Sequence, residues 1–300
     1  MLNTMPILTA ATYVALLLAV VGLWFGRRVW IPVFAIAVVL GYVAKVLYGP
    51  AVIWIAAFAA LCIAYHRAKA LESRGRRITA VAFAAAGVLV LGVLLGMHAL
   101  PGFHNFLLLD KVVLSSGAEP YSLYLNFDKT LVGICILAFC HESLLSRVAE
   151  WRKSFQRAAP LAVASVILVA FGAMALGYLT WQPKWTPLFW FWAPVNLLFT
   201  CLSEEVFFRG FIQREITSTL HGSRWGSGLA IAVSGLLFGL AHFAGGVSYV
   251  LLATAAGFGY AIVYHRSRSI EMSMLTHFAL NATHFLLFTY PRATLLSSGS

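Results

Sequence analysis

Three short stretches in the last third of the chain carry side chains suited to proton transfer. In SEEVFFRG, Glu204 and Glu205 are adjacent, and Arg209 follows Glu205 by four residues. On a helix, Glu205 and Arg209 share a face in the favourable acid-before-base order and can neutralise each other. Glu204 is rotated by about 100° from Glu205, which leaves it without an obvious local partner and available for chemistry. FGLAHF puts Phe238 and His242 on one face, and THFALNATHF puts His277, Asn281 and His284 at i, i+4 and i+7. The last stripe presents two imidazoles and a carboxamide. Each feature also has a structural reading, the Glu205 and Arg209 pair as a bridge and His242 as an interhelical donor. His284 and His141 read as structural, and His66, His221 and His265 as interfacial. Together, though, two carboxylates, an arginine, two histidines and an asparagine are costly to bury for structure alone.

Their cost depends on the elements that hold them. The 300 residues are 61% hydrophobic and only 10% charged, where soluble proteins run at about 25% charged. That excludes a soluble globule. Apolar runs bounded by charge, Pro or Gly predict helices near 6–26, 30–48, 50–65, 78–99, 130–146, 159–180, 188–208, 227–245, 247–264 and 269–290. The expected fold is an all-α polytopic transmembrane bundle of about 8 to 10 membrane helices. The first span lacks a basic n-region and a small-residue cleavage site, and is expected to stay as a membrane helix. An ionisable residue inside such a span costs about 2.5–3.5 kcal/mol on insertion scales, so a cluster of them calls for a function.

The net charge of +11 does not form a basic face for nucleic acid. Most of the 21 Lys and Arg residues, Arg209 counted among them, fall in alternate loops, while Lys111, Lys129, Lys184 and Arg292 fall on the other side. Positive-inside bias places the first group in the cytoplasm and both termini outside. Residues 100–129 then form an extracytoplasmic stretch, read as a plain connecting loop in preference to a re-entrant or interfacial flap. Cys62, Cys135, Cys140 and Cys201 show no CxxC spacing and read as small buried hydrophobes. The organisation expected is N-terminal transmembrane helices over 1–180 and a catalytic transmembrane core over 185–290.

The three stretches resemble the motifs of the CPBP family of intramembrane proteases, also called the Abi family, which includes CAAX prenyl endopeptidases and bacteriocin-processing or self-immunity proteins. EExxxR appears as Glu204, Glu205 and Arg209, FxxxH as Phe238 and His242, and HxxxN as His277 and Asn281, in order and on separate predicted helices. The resemblance covers about residues 185–290. It implies an intramembrane glutamic-type endopeptidase in which Glu204 and His242 activate a water and His277 and Asn281 stabilise the oxyanion. Glu205, Arg209 and Phe238 would support them. The substrate implied is a membrane-associated protein or peptide, at the lipid bilayer. The uneven basic distribution suits a multi-pass protein of the bacterial cytoplasmic (inner) membrane, and would also suit an endoplasmic reticulum membrane.

Rival chemistries lack their residues. HESLL at 141–145 begins like the HExxH zinc motif, but Leu145 stands where the second ligand belongs. The sequence around Ser234 lacks the first glycine of GxSG, and GFGY at 257–260 lacks the aspartate of GxGD. Two Glu and two His could also ligate a divalent ion, but the resemblance points to a site with no metal and no cofactor. The competing class is a non-enzymatic membrane protein, either a proton-coupled transporter or a bacteriocin immunity or binding protein. The sequence also poses a problem of depth. A helix entering at Leu188 would carry Glu204 about 24 Å down, while His242 would stay near the outer end of its own span. For the two to meet, a helix must be broken or short, with Gly245 and Gly246 as the expected break.

Overall fold

The computed structural model describes residues 1–140 and 144–293. His141 and Glu142, and with them the start of HESLL, lie outside the described residues. Each of the ten expected spans corresponds to a helical rod. They are α1 (Ile7–Gly22), α2 (Arg27–Val43), α3 (Gly49–Lys69), α4 (Arg74–Gly96), α5 (Phe127–Cys135) and α6 (Val148–Ala175). Then come a composite rod, α10 (Gly226–Leu240), α11 (Val247–Ser267) and α12 (Ile270–Leu287). The composite rod strings together α7 (Phe189–Val195), α8 (Leu202–Glu205) and α9 (Arg214–Thr219) through π-helical stretches at Asn196–Cys201 and Val206–Gln213.

Among the described residues, Ile7–Phe25, Gly49–Lys69, Arg74–Gly96, Val148–Ala175 and Val247–Ser267 are long and apolar enough to cross a bilayer. The chain is a polytopic helical membrane protein. Its outer faces agree, since α6 points Val163, Ile167, Leu168 and Phe171 outward and α4 exposes Phe83. Such continuous apolar surface suits lipid rather than water. One apolar core runs through the whole bundle, from Leu16 on α1 to Phe285 on α12.

The stretch 100–129 is not a plain loop. β1 (Phe106–Val112) and β2 (Tyr121–Leu125) pair antiparallel, with Phe106 opposite Leu125 and Val112 opposite Tyr121. The first residues add to its edge, Asn3 N donating to Leu108 O at 3.0 Å and the Asn3 side chain to Leu107 O at 2.8 Å. From the other end of the chain, Tyr290 N donates to Ser115 Oγ and Glu119 N to Arg292 O. Asn3 on one side and Tyr290 and Arg292 on the other thus tie to one hairpin, which closes this pole of the bundle, the hairpin pole. The opposite pole carries the basic loops.

The α10 and α11 helices pack closely because small residues let the backbones approach. A Cβ added at Gly239 would sit 1.8 Å from Thr254 Oγ1, and one at Gly257 would sit 2.9 Å from Gly235 O. A side chain at either position would force the facing residue or backbone to shift. After Leu240 the chain turns through a 3₁₀ stretch, Phe243–Gly245, and Gly246 at φ +84° starts α11. Glycine is the residue that adopts this left-handed value without strain.

Candidate active site

The composite rod solves the depth problem. The sequence suggests that it stops near residue 208, yet it stays helical to Thr219. The polar residues that look like loop are in fact buried against α11, where Arg209 Nη2 donates to Gly257 O at 2.8 Å and Gln213 Nε2 to Ala261 O at 2.9 Å. Arg209 is fully buried and is not a topology signal at the basic pole. Glu204 lies fifteen residues before the end of the rod, and His242 lies sixteen residues after α10 begins. Because α10 runs back along the rod, the two positions come level. The break at His242 to Gly246 then lets the imidazole turn into the space beside Glu204.

Glu205 is the closed half of the acidic pair. It is fully buried, and Arg209 Nη1 donates to its Oε1 at 3.1 Å. His277 Nδ1 stands 2.9 Å from the same oxygen, and Ser273 Oγ donates to Oε2 at 2.6 Å. The Arg209 guanidinium lies 4.6 Å from the Phe238 ring centre and 5.3 Å from that of Tyr260. His277 stacks on Tyr260 at 4.6 Å and meets the Phe238 edge at 5.6 Å. Phe238 therefore serves as a wall against which both the guanidinium and the imidazole are held. With its charge paired and its oxygens engaged, Glu205 orients its neighbours. A carboxylate at Nδ1 places the ring proton there. His277 thus shows Nε2 to the cavity, as an acceptor in the neutral ring and as a donor in the imidazolium.

Glu204 is the open half. Lys129 Nζ meets its Oε1 at 2.5 Å, whereas Oε2 is buried without a hydrogen-bond partner and stands 3.9 Å from His277 Nε2. His242 has its Nδ1 2.7 Å from Phe238 O, which leaves Nε2 free. Asn281 Nδ2 donates to Asn196 Oδ1 at 3.2 Å and to Cys201 Sγ at 3.6 Å. Glu204, His242, His277 and Asn281 line one polar cavity of about 350 Å³, which continues past Tyr249 and Tyr290 to Glu119 and Arg292 at the hairpin pole. A second, mostly apolar cavity of about 560 Å³ runs between α4, α5, the rod and α10, and it too reaches Glu204 and His242.

All seven residues singled out by the motifs therefore converge, as one ring around Glu204 and Glu205. His284 sits at the cavity wall with Nε2 3.1 Å from Thr289 O. The four cysteines are free and buried. The residues that sequence spacing missed are Lys129, Asn196 and Ser273, each of which meets its partner across elements distant in sequence. Both oxygens of Glu205 are engaged by Arg209, His277 and Ser273. Among the described residues, no three His, Cys, Asp or Glu side chains gather as metal ligands do.

No curated protein and no solved structure matches the chain. Residues 185–283 match the family described as Type II CAAX prenyl endopeptidase Rce1-like. The match begins just before the composite rod and ends within α12, so it contains the EExxxR, FxxxH and HxxxN residues and leaves out Lys129. Residues 185–283 of this multi-pass membrane chain are accordingly an Rce1-like domain of the type II CAAX prenyl endopeptidases, a family of intramembrane glutamyl proteases.

Proposed function

We propose that the protein hydrolyses a peptide bond of a membrane-associated protein or peptide, with Glu204 and His242 activating the water and His277 and Asn281 stabilising the oxyanion. The observation that carries this reading is the division of labour between adjacent carboxylates. Glu205 has both oxygens engaged, while Glu204, a lining residue of the polar cavity, keeps Oε2 without a partner and 3.9 Å from the His277 imidazole. In the first step a water in the polar cavity gives a proton to Glu204 Oε2, assisted by His242 Nε2, and its oxygen bonds to the peptide carbonyl carbon. The oxygen of the tetrahedral intermediate accepts hydrogen bonds from His277 Nε2 in its imidazolium form and from Asn281 Nδ2, which exchanges its weak contact with Cys201 Sγ for this one. One such donor contributes about 2.7–4 kcal/mol in acyl-transfer sites. The carbon–nitrogen bond then breaks, and the proton held by Glu204 passes to the leaving amine.

The two cavities support a substrate with two unlike parts. Leu89, Gly92, Phe207, Leu237, Leu240 and Phe243 offer apolar walls to a lipid chain or an apolar segment, while Glu119, Tyr290 and Arg292 edge the polar branch. Both branches meet at Glu204 and His242, where the scissile bond would lie. A farnesylated peptide ending in a CAAX sequence fits this division and is the natural probe. The full-length protein in liposomes, given such a peptide with a fluorophore and quencher across the scissile bond, should release the fluorophore. Glu204→Gln, Asn281→Ala and His277→Ala should not release it, although each should reach the membrane at wild-type level. Proton or solute flux without cleavage by the wild type would favour the transporter reading. We further propose the bacterial cytoplasmic membrane as its location, with the basic pole inside, on the strength of the uneven Lys and Arg distribution.

A further inference from the structure

One charged residue in the site belongs to no motif and lies outside the matched domain. Lys129 sits near the start of α5, and its Nζ is 2.5 Å from Glu204 Oε1, with the lysine and glutamate side chains 20% and 11% exposed. Two features hold it there. The helix start is fixed by polar contacts, for Asn105 Oδ1 accepts from Phe127 N at 2.9 Å and Asn105 Nδ2 donates to Asp128 Oδ1 at 2.9 Å. His98 Nδ1 lies 2.9 Å from Asp128 Oδ2. One turn further on, Gly133 shares the face of Lys129. A Cβ there would stand 2.5 Å from Leu202 Cδ2 and 3.1 Å from Ser203 Cα, so α5 lies directly against the residues preceding Glu204. The helix backbone is thus clamped from above and from the side, and a long flexible side chain becomes a defined strut.

We propose that Lys129 is a positioning residue of the active site, which holds Glu204 Oε1 and so commits Oε2 to the proton transfer. This rests on the proposed protease reading and adds to it. A carboxylate can otherwise rotate and present either oxygen, and only one geometry places a water between it and the carbonyl carbon. The ammonium also supplies the counter-charge that a carboxylate in apolar surroundings requires. The other charged or titratable groups around Glu204 are His277 from α12, His242 from the end of α10, Tyr249 from α11, Cys201 just before it on the rod, and the neutralised pair Glu205 and Arg209. Among them Lys129 alone bonds to Glu204. The N-terminal region, which carries no motif, therefore contributes directly to the chemistry.

Two measurements test the assignment in the full-length protein. The first is spectroscopic and needs no substrate. In infrared spectra of protein labelled with ¹³C at glutamate, the Glu204 carboxylate band is identified by its loss in Glu204→Gln, and in Lys129→Met it should shift. An unshifted band overturns the inference whatever the activity. The second is kinetic, with the quenched farnesylated peptide. Lys129→Met should lower kcat by about 100-fold, as misplacement of a catalytic group by an ångström does. KM should change by less than about threefold, because the loss lies in the transition state. Lys129→Arg should recover most of the activity, and ethylammonium should partly restore Lys129→Ala. Wild-type kcat in Lys129→Met, with Glu204→Gln inactive, would overturn the inference alone. Activity in Glu204→Gln would instead remove the reading on which it rests.

Discussion

Two buried acidic clusters sit on either side of the first two turns of α12, and they differ in kind. At the helix start Glu271 is 1% exposed and, among the described residues, meets neutral donors, namely Trp24 Nε1 at 3.2 Å, Leu145 N at 2.6 Å and Ser269 Oγ at 2.7 Å. Ser269 also accepts from Met272 N, so the whole group closes the helix N-terminus and joins it to the 3₁₀ turn Leu23–Phe25 after α1 and to the segment before α6. Near His277, two turns along, Glu204 and Glu205 meet cations and an open cavity. Burial of a carboxylate does not distinguish the clusters, since all three glutamates are largely buried. What differs is the unsatisfied atom. Glu271 and Glu205 have both oxygens engaged, while Glu204, at the wall of the polar cavity, keeps one without a partner.

The comparison can be broken at several points, most sharply at Glu204. Glu204→Gln should lower cleavage by about 10³- to 10⁴-fold while thermal unfolding in detergent stays within a few degrees of wild type. A large loss of stability with cleavage retained would mean that Glu204 belongs with Glu271. Next is Arg209→Ala, which strands Glu205 as an uncompensated buried charge and should cost about 3–5 kcal/mol in unfolding titrations. Glu271→Ala should follow at about 1–3 kcal/mol, because Trp24, Leu145 and Ser269 lose their acceptor, and kcat should be unchanged. A drop in kcat without a drop in stability would make the α12 start part of the active site. The smallest effect is expected from Trp24→Phe, at about 0.6 kcal/mol, the mean for a single side-chain hydrogen bond within a membrane bundle.

The parts of this arrangement that were legible in the sequence are those written at helical spacing. Glu205 with Arg209, Phe238 with His242 and His277 with Asn281 each lie four residues apart, so one helix geometry predicts each pair. The ten rods were legible for a related reason, since a lipid-facing helix needs a long apolar run. In the sequence Lys129 is only a basic residue on the outer side. Its partner stands 75 residues away, and no local period encodes such a contact. Ser273 and Asn196 were missed for the same reason. The hairpin was hidden because FLLLDKV and YSLYL are short apolar runs whose pairing depends on the strand opposite. The rod was cut short at residue 208 because Arg209, Gln213 and Arg214 look like a loop until α11 is present to receive the first two.

The two wide stretches in the composite rod carry a consequence for how such a chain can change in length. A π turn holds one residue more than an α turn and is found often at functional sites. One stretch, Asn196–Cys201, comes just before Glu204, and the other, Val206–Gln213, just after Glu205. Loss of a single codon in the first would let the helix relax into ordinary α geometry with no break in the rod. The residues upstream would keep close to their present orientation relative to Glu204, because the residue lost is the extra one of the wide turn, and Asn196 would stay near Asn281. The wide stretch before Glu204 is thus the place where this rod can shorten by one residue and still present the same wall to the cavity.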